Sequence, residues 1–486
     1  MMAHTFKEIQ AVNAAGPYHA DWASIGQHPA PDWFRRAKFG IFTHWGVYTV
    51  PEYSNEWYSR NMYIKGYPAF AHHVATYGPQ KDFGYKDLIP LFTAPKFDAG
   101  AWLDLFKRAG AKYYFPVSEH HDGFQMYRSE LSHWNAYEMG PHRDVLGELR
   151  TATLEAGLHF ATSNHRAEHW WFMGHGREFD SDVREPMKKG DFYWPAQPEP
   201  DNQALFSKPY PTAEYLEDWV ERVCEIIDNY RPELLYFDWW LQHAAFKPYM
   251  QELTAYYYNR ASEWGIPVSI CYKYDGMAWG AGIPDVERGG FAQATPYYWQ
   301  TDTAIANNSW CYTDSLEYKG VNELLIALID AVAKNGNLLL NVGPRADGSI
   351  APHDQAILSA IGDWLGINGE GIYDSVPWKQ YGEGPTNVSG GMFEDLSKLA
   401  YGPADVRYTA GNGSVYAFLL APGSTAVLTA FHLFADKNQP PFHGVIKRIS
   451  QLGQGPVDWH IEPDGMHVAL RPSQVGRPVA LKIEVE

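Results

Sequence analysis

The chain has 486 residues, 45% of them hydrophobic and 20% charged, with a formal net charge of -18. That composition suits a folded globular protein and excludes nucleic acid and anionic membrane surfaces as partners, because both are held by clustered Lys and Arg. The length exceeds the roughly 250–300 residues at which one hydrophobic core stops growing, so two domains are expected.

The 19 Trp and 32 Tyr are in excess. Such rings fill cores, and a flat ring also takes the apolar face of a pyranose while a polar tip reaches a hydroxyl. Cys224, Cys271 and Cys311 are too few and too scattered for a disulfide framework and read as buried free thiols. No charged segment followed by an apolar one opens the chain, and no run of about 18 apolar residues occurs, so a soluble, cytoplasmic protein is expected.

From Phe39 to about Gly366, short apolar runs alternate with amphipathic helical stretches. The runs, in order, are FGIF from Phe39, YYFPV from Tyr113, LHFATS from Leu158, LLYF from Leu234, PVSICY from Pro267 and NLLLNV from Asn337. Six strands with room for two more predict a TIM-like α/β barrel, eight-stranded or nearly so. The first run is not followed by a Gly-rich phosphate turn, which sets a nucleotide-binding sheet aside. After the helical pattern at 356–365 the chain turns to Gly, Pro and Ser, then to short alternating stretches such as VRYTA, SVYAFLL and VALKIEV. Residues 1–370 are therefore expected as the catalytic barrel, 371–390 as a linker and 391–486 as an all-β sandwich.

Barrel chemistry sits at the C-terminal ends of the strands. The first run leads into His44, the second into His120 and His121, the third into His165 and the fourth into Asp238. Asp238 is the candidate nucleophile, although an Asp there is also a ready N-cap. Glu287, placed in a long loop after the fifth strand, is a candidate general acid, with Asp285 and Glu56 as competitors. The adjacent His120 and His121 make a poor metal pair, since neighbours on a strand point to opposite sides, and there is no HExxH; neutral histidines bonding to hydroxyls fit better.

Taken together, FGIFTHWGVYTVPEY, NEWYSRNM, EHHDGFQMYRS with HRDVLGEL, LLYFDWW, NNSWCY and NLLLNVGPRADGSI resemble the α-L-fucosidases of glycoside hydrolase family 29, over about Trp33 to Ser375. The resemblance implies a barrel followed by a sandwich, exo-acting hydrolysis of terminal α-L-fucosides with retention, a fucosylated oligosaccharide or glycoconjugate as partner, and no metal or organic cofactor. It puts Asp238 at the nucleophile position and Glu287 at the acid/base position. His44, His120 and His121 match histidines that hold the fucose hydroxyls, Glu56 and Trp57 a loop over the sugar, and Trp310 an aromatic near its methyl group. Tyr236, His165 and Lys273 complete the expected sugar-facing set. Ser163-Asn164-His165 and Lys273 stand where many members carry a tyrosine and an arginine. The alternatives are a hydrolase of a related L-sugar such as an α-L-galactoside, a non-catalytic fucose-binding protein, and a metal-dependent hydrolase.

Overall fold

The computed structural model describes residues 3–386, 388–394, 399–432, 442, 444–472 and 476–486. Eight parallel strands close into a barrel in chain order: β1 (Phe39–Thr43), β2 (Tyr113–Glu119), β3 (His159–Asn164), β4 (Leu234–Phe237), β5 (Ser269–Tyr272), β6 (Ile283–Glu287), β7 (Trp299–Ala304) and β8 (Gly336–Val342). Closure is made by β1, in which Gly40 pairs with Tyr113 of β2 on one side and Leu339 of β8 on the other. Glycine is required there: a Cβ on Gly40 would lie 2.2 Å from the Tyr113 ring. Phe42, Phe115, Tyr236, Cys271 and Leu339 pack in one cluster, so the barrel is filled rather than open.

Strands buried on both faces read as continuous apolar runs, and the six expected runs are six of the eight strands. The two that were not expected, β6 and β7, are IPDVE and WQTDTA. They place Asp285 and Asp302 in the barrel interior, and no helix separates β5 from β6 or β6 from β7. In β6 both signals of a barrel strand, apolarity and a following helix, are missing at once, and β7 lacks the apolarity. Glu287 consequently ends a strand and is not the loop residue expected from the sequence.

The C-terminal part forms a six-stranded antiparallel sheet and a three-stranded one. Its first strand, β9 (Val376–Glu383), falls inside the stretch 371–390 expected as a linker. It is an edge strand with a proline at its second position, a place where the missing N–H is tolerated and where alternation is weak. Of the later strands, β10 (Val406–Gly411) faces the helix Val321–Ala333: Arg407 Nε donates to Asp330 Oδ1 at 2.6 Å, and Lys334 Nζ to Asp330 Oδ2 at 2.7 Å. Trp364 Nε1, from the helix Pro352–Asn368, donates to the carbonyl of Pro478 at 2.8 Å. The sandwich thus packs on the barrel's last two helices while keeping a hydrophobic cluster of its own. The three cysteines are free and buried. Among the described residues no helix is long and apolar enough to cross a membrane.

Candidate active site

A cavity of about 340 Å³ opens at the C-terminal ends of the strands. Eleven of the residues singled out from the sequence line it, namely His44, Glu56, Trp57, His120, His121, His165, Tyr236, Asp238, Lys273, Glu287 and Trp310, and Asp285 does not. His44, His120, Asp238 and Lys273 each follow directly on the end of a strand, β1, β2, β4 and β5, while Glu56, Trp57 and Trp310 come from the longer segments after β1 and β7.

Lys273 organises the charged side. Its Nζ donates to Asp238 Oδ1 at 2.8 Å and to Glu287 Oε2 at 2.5 Å, and lies 3.9 Å from Asp302 Oδ2. One nitrogen bridging both carboxyls holds their oxygens within roughly 5 Å of each other, the separation of a retaining glycosidase rather than an inverting one. The same cation affects the two acids unequally. Burial alone would raise Asp238, but Lys273 and the hydrogen bond from His165 hold it well below the usual carboxylate range. Burial pushes Glu287 up to about 7, helped by the charges of Asp302 and Asp238 and only partly opposed by Lys273. The site thus sets a carboxyl held ionised beside one held up near neutrality. Trp239 Nε1 also donates to Glu287 Oε2, at 3.0 Å. With two donors on Oε2, the proton of Glu287 belongs on Oε1.

Below this pair, Tyr236 donates its hydroxyl to Asp302 Oδ2 at 2.9 Å, and Gln300 Nε2 donates to Asp285 Oδ2 at 2.9 Å. Burial beside Asp302 pushes Asp285 well above the usual range, so it is held neutral. Asp285 is not among the residues that line the cavity, so it belongs to the support of the site.

Three of the histidines are held neutral. Burial pushes His44 and His120 well below the usual imidazole value and His121 to about 3. Their tautomers follow from their partners. His44 Nδ1–H donates to Asn341 Oδ1 at 2.7 Å, and His121 Nδ1–H to the carbonyl of His165 at 2.9 Å, which leaves both Nε2 atoms as acceptors. His120 Nδ1 is buried with no hydrogen-bond partner among the described residues. A buried polar atom of that kind is costly unless a ligand satisfies it. His165 differs from the other three: its Nδ1–H donates to Asp238 Oδ2 at 3.0 Å and its Nε2 accepts from Ser163 Oγ at 3.0 Å. Both nitrogens are spent on the protein, so His165 holds Asp238 in place instead of binding a hydroxyl. Lys273 is likewise committed to the two carboxyls. The ring nitrogens of His44, His120 and His165 lie within 4.8 Å of one another, close enough to consider a shared metal ion, but His165 has no nitrogen to spare for one.

Glu56 accepts from the Trp310 backbone N–H at 2.9 Å and from Ser309 Oγ at 3.4 Å. That tie fixes the Trp310 ring 5.2 Å from His44, with the Arg288 guanidinium 4.7 Å from the ring centroid. Glu56 is therefore a brace for the aromatic wall. Trp57 packs at 5.9 Å from His121 and under Arg60 at 5.4 Å.

The family model for α-L-fucosidase matches residues 5–370. The chain belongs to the α-L-fucosidase family of glycoside hydrolases. It is 30% identical to human tissue α-L-fucosidase over 472 residues, covering 95% of this chain and 90% of that one. Human plasma α-L-fucosidase is 30% identical over 409 residues, 80% of this chain and 79% of the other. The crystal structure of Thermotoga maritima α-fucosidase in complex with fucose superimposes with a TM-score of 0.72 at 27% identity, over 96% of this chain and 100% of that one. The complex of the same enzyme with a mechanism-based inhibitor gives 0.73 at 27% identity, over 96% and 99%.

Within this fucosidase pocket, five lining residues were not singled out from the sequence: Gln203, Trp239, Tyr274, Asp302 and Phe393. Trp239 and Tyr274 directly follow Asp238 and Lys273, so adjacency to a functional residue was a usable signal for them. Asp302 stands in a strand too polar to be read as one. Gln203 and Phe393 come from irregular segments far from any strand end.

Proposed function

We propose that this fucosidase works by double displacement, with Asp238 as nucleophile and Glu287 as acid/base. In the first step an Asp238 oxygen forms a bond to C1 of a terminal α-L-fucosyl residue while the bond from C1 to the leaving oxygen breaks and that oxygen takes the proton of Glu287. In the second, Glu287 removes a proton from water, which attacks C1, and the ester to Asp238 breaks. The observation that carries this reading is the Lys273 bridge, which joins a carboxyl held ionised to one held near 7.

The bridge also supports the change of role between steps. Once Asp238 is esterified its charge is gone, so the repulsion that raises Glu287 weakens while Lys273 remains, and Glu287 becomes easier to ionise as it must act as a base. His44, His120 and His121 supply the acceptors and the unpartnered nitrogen for the sugar hydroxyls. Trp310 supplies an apolar wall suited to the methyl of a 6-deoxy sugar; such a wall discriminates modestly, which leaves α-L-galactosides as slow substrates. The three buried thiols are compatible with a cytoplasmic setting.

The test is the rate on an aryl α-L-fucoside for the wild type and Asp238→Gly, with and without azide. The variant is expected to lose about 10⁴-fold or more in kcat, and azide to restore turnover with a β-fucosyl azide product. An α-configured azide, or net inversion by the wild type, would remove the covalent step.

A further inference from the structure

The mouth of the pocket carries three aromatic rings that the two-carboxyl mechanism does not use: Trp239, Tyr274 and Phe393. The Trp239 and Phe393 rings are parallel to within 5°, with centroids 5.9 Å apart, and Tyr274 leans on Trp239 at 4.5 Å and 58°. Together they make an apolar floor with one raised side. Tyr274 and Phe393 remain 48% and 51% exposed, so neither ring is placed there by core burial.

Their backbones are placed at a cost. Tyr274 has φ +48° and Phe393 φ +59°, the left-handed region that bulky side chains avoid. Phe393 is held in that conformation by its N–H, which donates to the Glu287 carbonyl at 2.9 Å. Gly290 and Gly391 exchange two backbone hydrogen bonds beside it, at 3.1 and 2.9 Å. The approach is so close that a Cβ on Gly289 would lie 1.9 Å from the Gly391 carbonyl oxygen. A segment from beyond the barrel is thus fastened to the residues around the acid, and what it delivers to the mouth is a phenyl ring.

Position identifies the occupant. Trp239 is bonded to Glu287, the group that protonates the leaving oxygen, so the floor adjoins the leaving group. The terminal sugar's own aromatic wall, Trp310, stands instead against His44 and Glu56. We propose that Trp239, Tyr274 and Phe393 form a leaving-group subsite that takes a pyranosyl aglycone by its apolar face, with Phe393 as the specificity-determining residue supplied from outside the barrel. The inference rests on Glu287 being the acid/base.

The experiment compares Phe393→Ala, Phe393→Tyr and wild type on two substrates. One is an α-L-fucosyl disaccharide with a pyranose leaving group, and the other is α-L-fucosyl fluoride, whose leaving group is too small to reach the floor. For Phe393→Ala, kcat/KM on the disaccharide is expected to fall about fivefold further than on the fluoride, the loss of one aromatic face. Phe393→Tyr, which keeps the ring, is expected to return that ratio to within about twofold of wild type. Equal losses on both substrates would make Phe393 a structural residue, and no loss on either would mean that the aglycone does not touch it; both overturn the subsite. A wild type that cannot cleave the fluoride at all would instead overturn the two-carboxyl reading, and the subsite with it.

Discussion

The mouth of the barrel has two halves that are buried alike and charged differently. The strands β1 to β3 deliver His44, His120, His121 and His165; β4 to β7 deliver Asp238, Lys273, Glu287 and Asp302. In the first half nothing opposes desolvation strongly enough, and burial holds His44, His120 and His121 well below the usual imidazole value, on the neutral side. In the second half a buried ammonium 2.8 Å from one carboxyl and 2.5 Å from another overrides desolvation for Asp238 and not for Glu287. Burial by itself makes a recognition surface. Burial with one shared countercharge sets an ionised carboxyl beside one held up near neutrality, the pairing that the proposed double displacement uses.

Removing the acid should break the charged half most completely after the nucleophile. Glu287→Gln is expected to lose about 10³-fold in kcat/KM on fucosides whose leaving oxygen needs a proton, and less on activated aryl fucosides. Glu287 must be protonated to act, and its carboxyl is pushed up to about 7, so wild-type kcat/KM should decline as pH rises through that value. The variant should lose this alkaline limb; its persistence in a pH profile would assign the limb, and the acid, to another group.

A smaller effect isolates the countercharge. Lys273→Met is expected to lower kcat/KM about 10²-fold, because the ionised Asp238 loses its partner. Lys273 lowers both carboxyls, so without it both should titrate higher. The acid limb, which reports Asp238 becoming ionised, and the alkaline limb, which reports Glu287 losing its proton, should both move to higher pH. Limbs that stay put would mean that the ammonium only binds sugar.

The same contrast explains what was legible in the sequence. The histidine half follows apolar strands that announce themselves, and each residue sits at a strand end where chemistry is expected; Asp238 after LLYF is as plain. The rest of the charged half was harder because its own chemistry erases the pattern. Asp285 and Asp302 stand at interior positions of β6 and β7, so these strands are not apolar, and no helix separates β5 from β6 or β6 from β7 to mark the alternation. Glu287 was therefore chosen by its separation from the aromatic-rich segment that follows, and was misplaced in a loop. The committed partners of His165 and Lys273 were not legible either, since residue type shows a capacity for hydrogen bonding and only geometry shows where it is spent. Phe393 had no local signal at all, because its role depends on a segment more than a hundred residues after Glu287 returning to it through backbone hydrogen bonds.

The histidine half can be sharpened through one atom. Asn341 Oδ1 accepts from His44 Nδ1–H at 2.7 Å and from the His44 backbone N–H at 3.1 Å, while its own Nδ2 donates to the Trp310 carbonyl at 2.6 Å. Those bonds fix which side of the imidazole accepts from the sugar. Asn341→Ala frees the tautomer and should raise KM for an aryl fucoside by a few-fold to about tenfold, the size of one or two buried hydrogen bonds, with little change in the pH limbs. Asn341→Asp is the more informative change. A carboxylate beside Nδ1–H favours the imidazolium, so His44 should titrate at higher pH than in the wild type. Once doubly protonated, it loses the Nε2 lone pair that accepts from the sugar. The variant's kcat/KM should therefore fall as pH is lowered through a range in which the wild type is flat. If the two profiles coincide, the neutrality of this half does not pass through His44, and the division between a recognising half and a reacting half would have to rest on His120 and His121 alone.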